Sequence, residues 1–382
     1  MQNTLMFAVF ITVVITVYSL LNYYFIKKHR NVLTGRSLPV ILLRMVIFTI
    51  ILTPVATTFF SYKGIPFWAA ITGFTGYSWL AFLFLFLMIH GAADIILFIA
   101  ERAGFVPPRY MAREVFIVTL IISISLLGYG FYEARQIRIE RITVATPKLP
   151  AGVDRVRIVQ LSDIHFSPMI SVITAKKIRA LVERERPDII VSTGDFLDRA
   201  IFNSDEVARV MRGMKAPLGN YAITGNHEFI AGVSTSVAFI EKSGFTMLRD
   251  RGVTAKNILN LVGVDDITAD RFGEHRTGSE EAALRSVPRE LYTVLLKHQP
   301  RVSEANTSLY DLQLSGHTHA GQIFPFTMMV RLVFPYICGM YTVNENTMLY
   351  VSRGTGTWGP PVRFLAPPEI TVIDVRRGGA GN

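Results

Sequence analysis

Five short motifs carry the side chains able to do chemistry: Asp163-Ile164-His165, Gly194-Asp195, Gly225-Asn226-His227-Glu228, Lys297-His298 and Gly316-His317-Thr318-His319. They hold five of the chain's eight histidines, each just after an apolar run. A lone histidine in that place is usually structural. Five motifs of Asp, Asn and His obeying one placement rule are not. Imidazole nitrogen and carboxylate oxygen without thiolate suit divalent Mn, Fe, Zn or Co, and exclude an iron–sulfur or copper(I) centre. Asp163, His165, Asp195, Asn226, His298, His317 and His319 are too many donors for one ion of four to six ligands. Two ions sharing a carboxylate fit the number. Such a pair, about 3.5–4 Å apart, can clamp the attacking and leaving oxygens of an in-line phosphoryl displacement.

These motifs need elements to hold them. Val156–Leu161, Ile189–Ser192, Tyr221–Ile223, Leu259–Val264, Tyr292–Leu296, Leu312–Leu314, Met348–Val351 and Ile370–Ile373 read as buried strands. Val172–Glu185 reads as a helix, with Ile178, Leu181 and Val182 inward and Lys176, Lys177 and Arg179 outward. Strands alternating with helical segments predict an α/β domain. In such sheets ligands gather at the carboxyl ends of strands, where the five motifs fall.

The N-terminal third is a different material. The first 133 residues hold 9 Lys+Arg and 4 Asp+Glu, against 30 and 25 in the remainder. With half the residues hydrophobic and a mean hydropathy of +0.36, the chain is too apolar to be wholly soluble. Disorder is excluded by that apolar content. A disulfide scaffold is excluded by the single cysteine, Cys338. The pI of 9.7 comes without a Lys/Arg cluster interleaved with aromatics, so no nucleic-acid partner is expected, nor is any protein partner identifiable.

Four stretches approach the roughly 20 apolar residues of a spanning helix: 5–26, 38–60, 77–99 and 115–132. The first lacks the basic start and small-residue cleavage site of a signal peptide. Lys27, Lys28, Arg30, Arg36, Arg102, Arg109 and Arg113 lie on one side of this arrangement. Lys63, Arg135, Arg138 and Arg141 lie on the other. That asymmetry puts both termini outside the cytoplasm. His90 and Asp94 share one face of the third stretch and read as a pair, joined to each other or to Arg44, with a proton or ligand site within the membrane as the alternative. The expected division is 1–133 transmembrane anchor, 134–153 linker and first strand region, 154–377 α/β domain and 378–382 flexible tail.

The order D-x-H, G-D, G-N-H-E, H, G-H-x-H resembles the calcineurin-like metallophosphoesterase superfamily, over roughly residues 154–375. The resemblance implies a four-layer sandwich of two mixed sheets flanked by helices. It implies that Asp163, His165 and His319 hold one divalent ion, that Asn226, His298 and His317 hold another, and that Asp195 bridges them. His227 would be the general acid, and a hydroxide between the ions would attack phosphorus directly. Gly194-Asp195-Phe196-Leu197-Asp198-Arg199 is similar to the protein-phosphatase signature, in which the second Asp orients the catalytic histidine. Thr224 and Gly225, however, stand where those phosphatases carry a phosphate-binding arginine.

The tail of the domain resembles the membrane-associated bacterial YkuE and YaeI type of phosphodiesterase. The similar stretches are Gly316–Ile323, Ser352-Arg353-Gly354-Thr355-Gly356, Pro361-Val362-Arg363-Phe364 and Pro367-Pro368-Glu369-Ile370. Arg353 and Arg363 are candidate phosphate-binding cations, with an Arg363–Glu369 pair as the structural alternative. Between them and the metal motif runs an apolar stretch, Phe324–Tyr336, too broken by proline to span a bilayer. It is expected to be a loop that dips Phe324, Phe326 and Phe334 into a lipid surface, with packing into the core as the alternative.

The sequence therefore predicts a multi-pass protein of the bacterial cytoplasmic membrane, with its catalytic domain outside. Two divalent ions, with Mn favoured, would serve hydrolysis of a phosphodiester or pyrophosphate bond in a phosphate-containing lipid or envelope substrate at the bilayer. A soluble nucleotide or cell-wall phosphodiester is the alternative substrate. A catalytically inactive metal-binding receptor or scaffold is the alternative of another class.

Overall fold

A computed structural model describes residues 2–32, 38–105, 112–167, 172–198, 203–273 and 278–378. Arg36, Arg109, Arg199 and the tail beyond residue 378 lie outside them. The chain divides into two compact units at Glu133–Ala134, with the short segment Gly359–Val362 grouped with the first.

The N-terminal unit is helical: α1 (Gln2–Val32), α2 (Leu38–Ile51), α3 (Thr53–Tyr62), α4 (Pro66–Arg102) and α5 (Ala112–Ala134). Leu21, Phe25, Ile47, Phe82, Leu83, Phe86 and Phe116 form its core, while large apolar side chains elsewhere on the helices face outward. A helix that exposes Ile and Phe along its length requires an apolar solvent. Asp94 is held by α1, at 2.6 Å from Lys28 Nζ and 2.7 Å from Tyr24 Oη. His90 lies farther, at 3.8 Å, and its Nδ1 meets Thr119 Oγ1 at 3.0 Å.

The expected four spans are not all supported. Among the described residues, α4 and α5 are long and apolar enough to cross a membrane. A third span arises only if α2 and α3, bent by 43°, count together. The bend precedes Pro54, whose ring removes an N–H and disfavours helix in the residue before it. Alone, the 14 residues of α2 reach about 21 Å, short of a hydrocarbon core of about 30 Å. The first expected stretch falls in α1, most of whose first eleven side chains lie outside the described set.

The second unit is the α/β domain. Its first sheet contains β1 (Arg138–Thr146), β2 (Arg155–Leu161), β3 (Ile189–Ser192), β4 (Asn220–Ala222), β5 (Thr246–Met247) and β12 (Glu369–Arg377). Their order is β1-β12-β2-β3-β4-β5, with β12 and β2 antiparallel and the other pairs parallel. The second sheet contains β6 (Arg251–Ala255), β7 (Leu259–Gly263), β8 (Thr293–Leu296), β9 (Leu312–Ser315), β10 (Gly339–Asn344) and β11 (Thr347–Val351). It runs β10-β11-β9-β8-β7-β6, antiparallel at its two outer pairs. Both sheets are mixed, as expected.

Four layers follow from where the apolar side chains go. Ile158, Ile189 and Ile373 of one sheet meet Leu261, Val294 and Leu312 of the other. The opposite face of the first sheet is covered by α6 (Val172–Glu185), α7 (Ser204–Arg212) and α9 (Val233–Lys242), through Ile178, Met211 and Ile240. The outer face of the second packs Val262 and Leu295 on Leu284 of α10 (Glu280–Arg285). The charged motifs are thereby left at one place only, the strand ends.

Candidate metal centre

The fold brings all seven candidate donors together. Asp163 and His165 follow β2, Asp195 follows β3, and Asn226 opens the short helix α8 (Asn226–Ala231) after β4. His298 follows β8; His317 and His319 follow β9. His298 Nε2 lies 3.1 Å from Asn226 Oδ1, 3.2 Å from His317 Nδ1 and 3.3 Å from Asp195 Oδ2. His165 Nε2 lies 3.1 Å from His319 Nε2 and 3.6 Å from Asp195 Oδ2, and His319 Nε2 is 3.5 Å from Asp163 Oδ1. Asp163, His165 and His319 thus form one group able to hold a cation. Asp195, His298 and His317 form a second, and Asp195 also joins His165 and His227 in a third.

The backbone is strained where the donors sit. Asp163, His165, Asp195, His317 and His319 all have φ between 50° and 72°, the left-handed region that non-glycine residues rarely adopt. Such conformations persist only where the surroundings overdetermine them, and they cluster at functional sites. Close packing has the same origin. A Cβ on Gly316 would stand 2.1 Å from Asp163 Oδ2, and one on Gly225 would stand 2.2 Å from Asp195 Oδ1. Only glycine lets these strand ends approach their carboxylates.

Three donor histidines, His165, His317 and His319, fit divalent ions by protonation as well as type, whereas at His298 the Asp195 charge outweighs burial and raises the group well above the usual histidine range. His298 Nδ1 points at Thr193 O, 2.8 Å away, which turns Nε2 toward the cluster. Burial drives His165 and His317 down to about 4, so both rings are neutral with a lone pair to give. Burial, then the Arg363 guanidinium, holds His319 well below the usual histidine range. Burial opposes ionisation of Asp195, but the charges of His298 and His227 outweigh it and keep its carboxylate ionised. His165 Nδ1 is buried without a hydrogen-bond partner among the described residues.

A family model described as Calcineurin-like phosphoesterase matches residues 156–321. An "Uncharacterized metallophosphoesterase" of Aquifex aeolicus is 36% identical over 265 residues, covering 69% of this chain and 100% of that protein. The chain belongs to the calcineurin-like metallophosphoesterase family. It is also similar to a "Transmembrane protein with metallophosphoesterase domain" of Danio rerio, 31% identical and covering 82% of this chain and 75% of the relative. The metallophosphoesterase YkuE of Bacillus subtilis is 33% identical, covering 65% of this chain and 90% of its own length. This is a family of metal-dependent phosphoester hydrolases, and the apolar helices associate this member with a membrane.

Beside the metallophosphoesterase donors stands a histidine dyad. His227 Nδ1 is 2.6 Å from Asp198 Oδ1, the pairing that the Asp195–Asp198 spacing suggested. Burial would lower His227, but the Asp195 charge and the Asp198 contact overcome it and raise the group to about 9. Trp358 packs edge-on with this ring, with centroids 6.0 Å apart.

Glu228 is the residue whose role sequence reasoning missed. Its carboxylate is fully buried and accepts four backbone N–H groups: Asp195 at 2.9 Å, Phe196 at 2.9 Å, Leu197 at 3.1 Å and Gly225 at 2.7 Å. One side chain thereby ties the loop after β3 to the start of α8, and so positions Asp195 against Asn226. Burial, then repulsion from Asp195, raises its pKa to about 7. Its place in the Asn-His-Glu run was the available signal.

Two expectations need correction. Arg363 has no exposed surface, and its donors go to Gly356 O, His319 O, Arg353 O, Ala366 O and His319 Nδ1. No N–H remains for phosphate, because these hydrogen bonds go to four carbonyls and to His319. Glu369 pairs with Arg353 at 2.5 Å, and Arg353 also pairs with Glu140, so that cation too is neutralised within the fold. The apolar loop, in turn, is largely the helix α11 (Phe326–Val333), with no buried residue. Phe324 and Phe326 are exposed as expected. Phe334 instead turns inward and packs edge-on against His317, with centroids 5.0 Å apart.

Proposed function

We propose that the protein is a membrane-anchored phosphodiester or pyrophosphate hydrolase that uses two divalent ions. Asp163, His165 and His319 would hold one ion, Asn226, His298 and His317 the other, with Asp195 between them. The observation that carries this reading is the two adjoining donor groups, Asp163–His165–His319 and Asp195–His298–His317, with Asp195 Oδ2 3.6 Å from His165 Nε2 and His227 at their edge. Divalent ions there would supply Lewis-acid charge to the phosphoryl oxygens and an activated water.

The chain's own residues supply the rest. His227 is kept cationic at neutral pH and is turned by Asp198, so its Nε2 can deliver a proton to the departing alkoxide. Glu228 fixes the loop that carries Asp195. Trp358 offers a flat wall for the leaving group.

The substrate reading rests on α11. Phe324, Phe326, Met328, Met329, Leu332 and Val333 are all exposed beside the donors, with Leu332 at 81%. A soluble domain rarely leaves so contiguous an apolar patch uncovered. A bilayer is therefore the apolar phase at hand, and a lipid or envelope phosphoester the substrate it would present. The basic-residue asymmetry supports an extracytoplasmic catalytic domain, and α1 would complete a bundle of four spans. Hydrolysis of bis(4-nitrophenyl) phosphate by the metal-stripped, Mn-reloaded full chain tests the reaction class. No turnover above a buffer control with Mn would refute it.

A further inference from the structure

The inward turn of Phe334 leaves a cation in an unusual place. The Arg301 guanidinium carbon lies 5.2 Å from the Phe334 ring centroid, and that ring packs on His317. The Arg301 stem is tied down, since its Nε donates to Gln299 Oε1 at 3.1 Å and Gln299 Nε2 donates to Asp266 at 3.0 Å. Among the described residues, no partner is recorded for its two terminal nitrogens. Three other cations around the donors are committed: Lys297 to Glu280 at 2.6 Å, Arg353 to Glu369 and Glu140, and Arg363 to backbone carbonyls. A guanidinium stacked on an aromatic face keeps its N–H edge available for an oxyanion.

Its position along the cluster says which part of a substrate it would meet. Contacts run from Phe334 to His317 and on to His298 and Asp195, and Asp195 in turn meets both His165 and His227. Arg301 therefore joins the cluster at the Asp195–His298–His317 group, and His227 joins it on the Asp195–His165 side. If His227 serves the leaving group, Arg301 faces the substituent that stays on phosphorus.

We propose that Arg301, presented on Phe334, binds an anionic group carried by the retained half of the substrate, and so selects phosphodiesters with a second negative charge on that half. This rests on the hydrolase reading above. The probes are two diesters with the same leaving group, thymidine 5′-(4-nitrophenyl phosphate) and its 3′-phosphorylated form. With the full chain in detergent, the 3′-phosphate should lower KM about tenfold. Arg301→Gln should cut that advantage below twofold, Arg301→Lys should keep part of it, and Phe334→Leu should reduce it by loosening the stack. Calorimetric binding of thymidine 3′,5′-bisphosphate against the 5′-monophosphate should show the same preference and the same loss, independently of turnover. Absence of the preference in the wild type, its survival in Arg301→Gln, or equal weakening of both ligands would overturn the assignment. Failure to hydrolyse either diester, with the binding preference intact, would sink the hydrolase reading instead.

Discussion

Glu228→Gln isolates the geometry of the metal centre from its donors. The substitution keeps size and shape but replaces one carboxylate oxygen with an NH2 group. Oε1 accepts from Phe196 and Leu197, and Oε2 from Asp195 and Gly225, so whichever oxygen is lost leaves two buried N–H donors facing a third donor. A buried group left unsatisfied costs about 1–3 kcal/mol, so two cost about 2–6 kcal/mol. The loop after β3 should yield before the core does, because Asp195 already holds a left-handed backbone, at φ 50°. The expected outcome is a protein that still folds but melts several degrees lower and binds fewer than two ions. Its kcat should fall at least tenfold, although no donor has been touched. Circular-dichroism melting and metal analysis of the same preparation decide it. Unchanged melting with two ions retained would refute the claim that Glu228 positions Asp195.

Three further outcomes follow from the same residues. His227→Ala should retain both ions and lose about 10²–10⁴-fold in kcat, the range of a general acid, with smaller losses for nitrophenolate than for alkyl leaving groups; equal losses across leaving groups would remove it from that role. Because His227 must be protonated to act, activity should fall as pH rises through its pKa, at or below about 9 since bound cations push it down; Asp198→Asn should move that alkaline limb to lower pH, and an unmoved limb would dissociate the pair. Phe326→Ser with Leu332→Ser should weaken turnover of a phospholipid in vesicles at least tenfold more than turnover of a soluble diester, since each apolar side chain gains about 1.5–3 kcal/mol on leaving water; equal losses would leave α11 no role at a lipid surface.

The central strands of both sheets were legible as apolar runs, and the donors as polar motifs at their ends. The strands without predicted bounds were β1, β5, β6 and β10, which are the four sheet edges. An edge strand faces solvent, so its pattern is charged or alternating, as in Arg138–Thr146 and Gly339–Asn344. It forms through its neighbour rather than its own hydrophobicity. The arginines misled for a related reason. A guanidinium surrounded by carbonyl oxygens, as at Arg363, has the same one-letter signature as one that waits for phosphate. Phe334 was legible as aromatic but not as an inward-facing wall, because the turn of the chain after α11 decides its direction. The N-terminal helices were plain in composition, yet their number depended on a break before Pro54 that a window average does not register.

The account stands or falls on Asp195. As the carboxylate that stands 3.6 Å from His165 and 3.3 Å from His298, between the two proposed ions, it should be the one side chain whose loss empties both sites together. Metal content and bis(4-nitrophenyl) phosphate turnover of the full chain, wild type against Asp195→Asn, test this in one experiment. Two divalent ions per wild-type chain with turnover, and loss of both ions and of activity in the variant, are the expected results. Two ions retained with a near-normal rate in Asp195→Asn, or a wild type that binds no divalent ion, would contradict it.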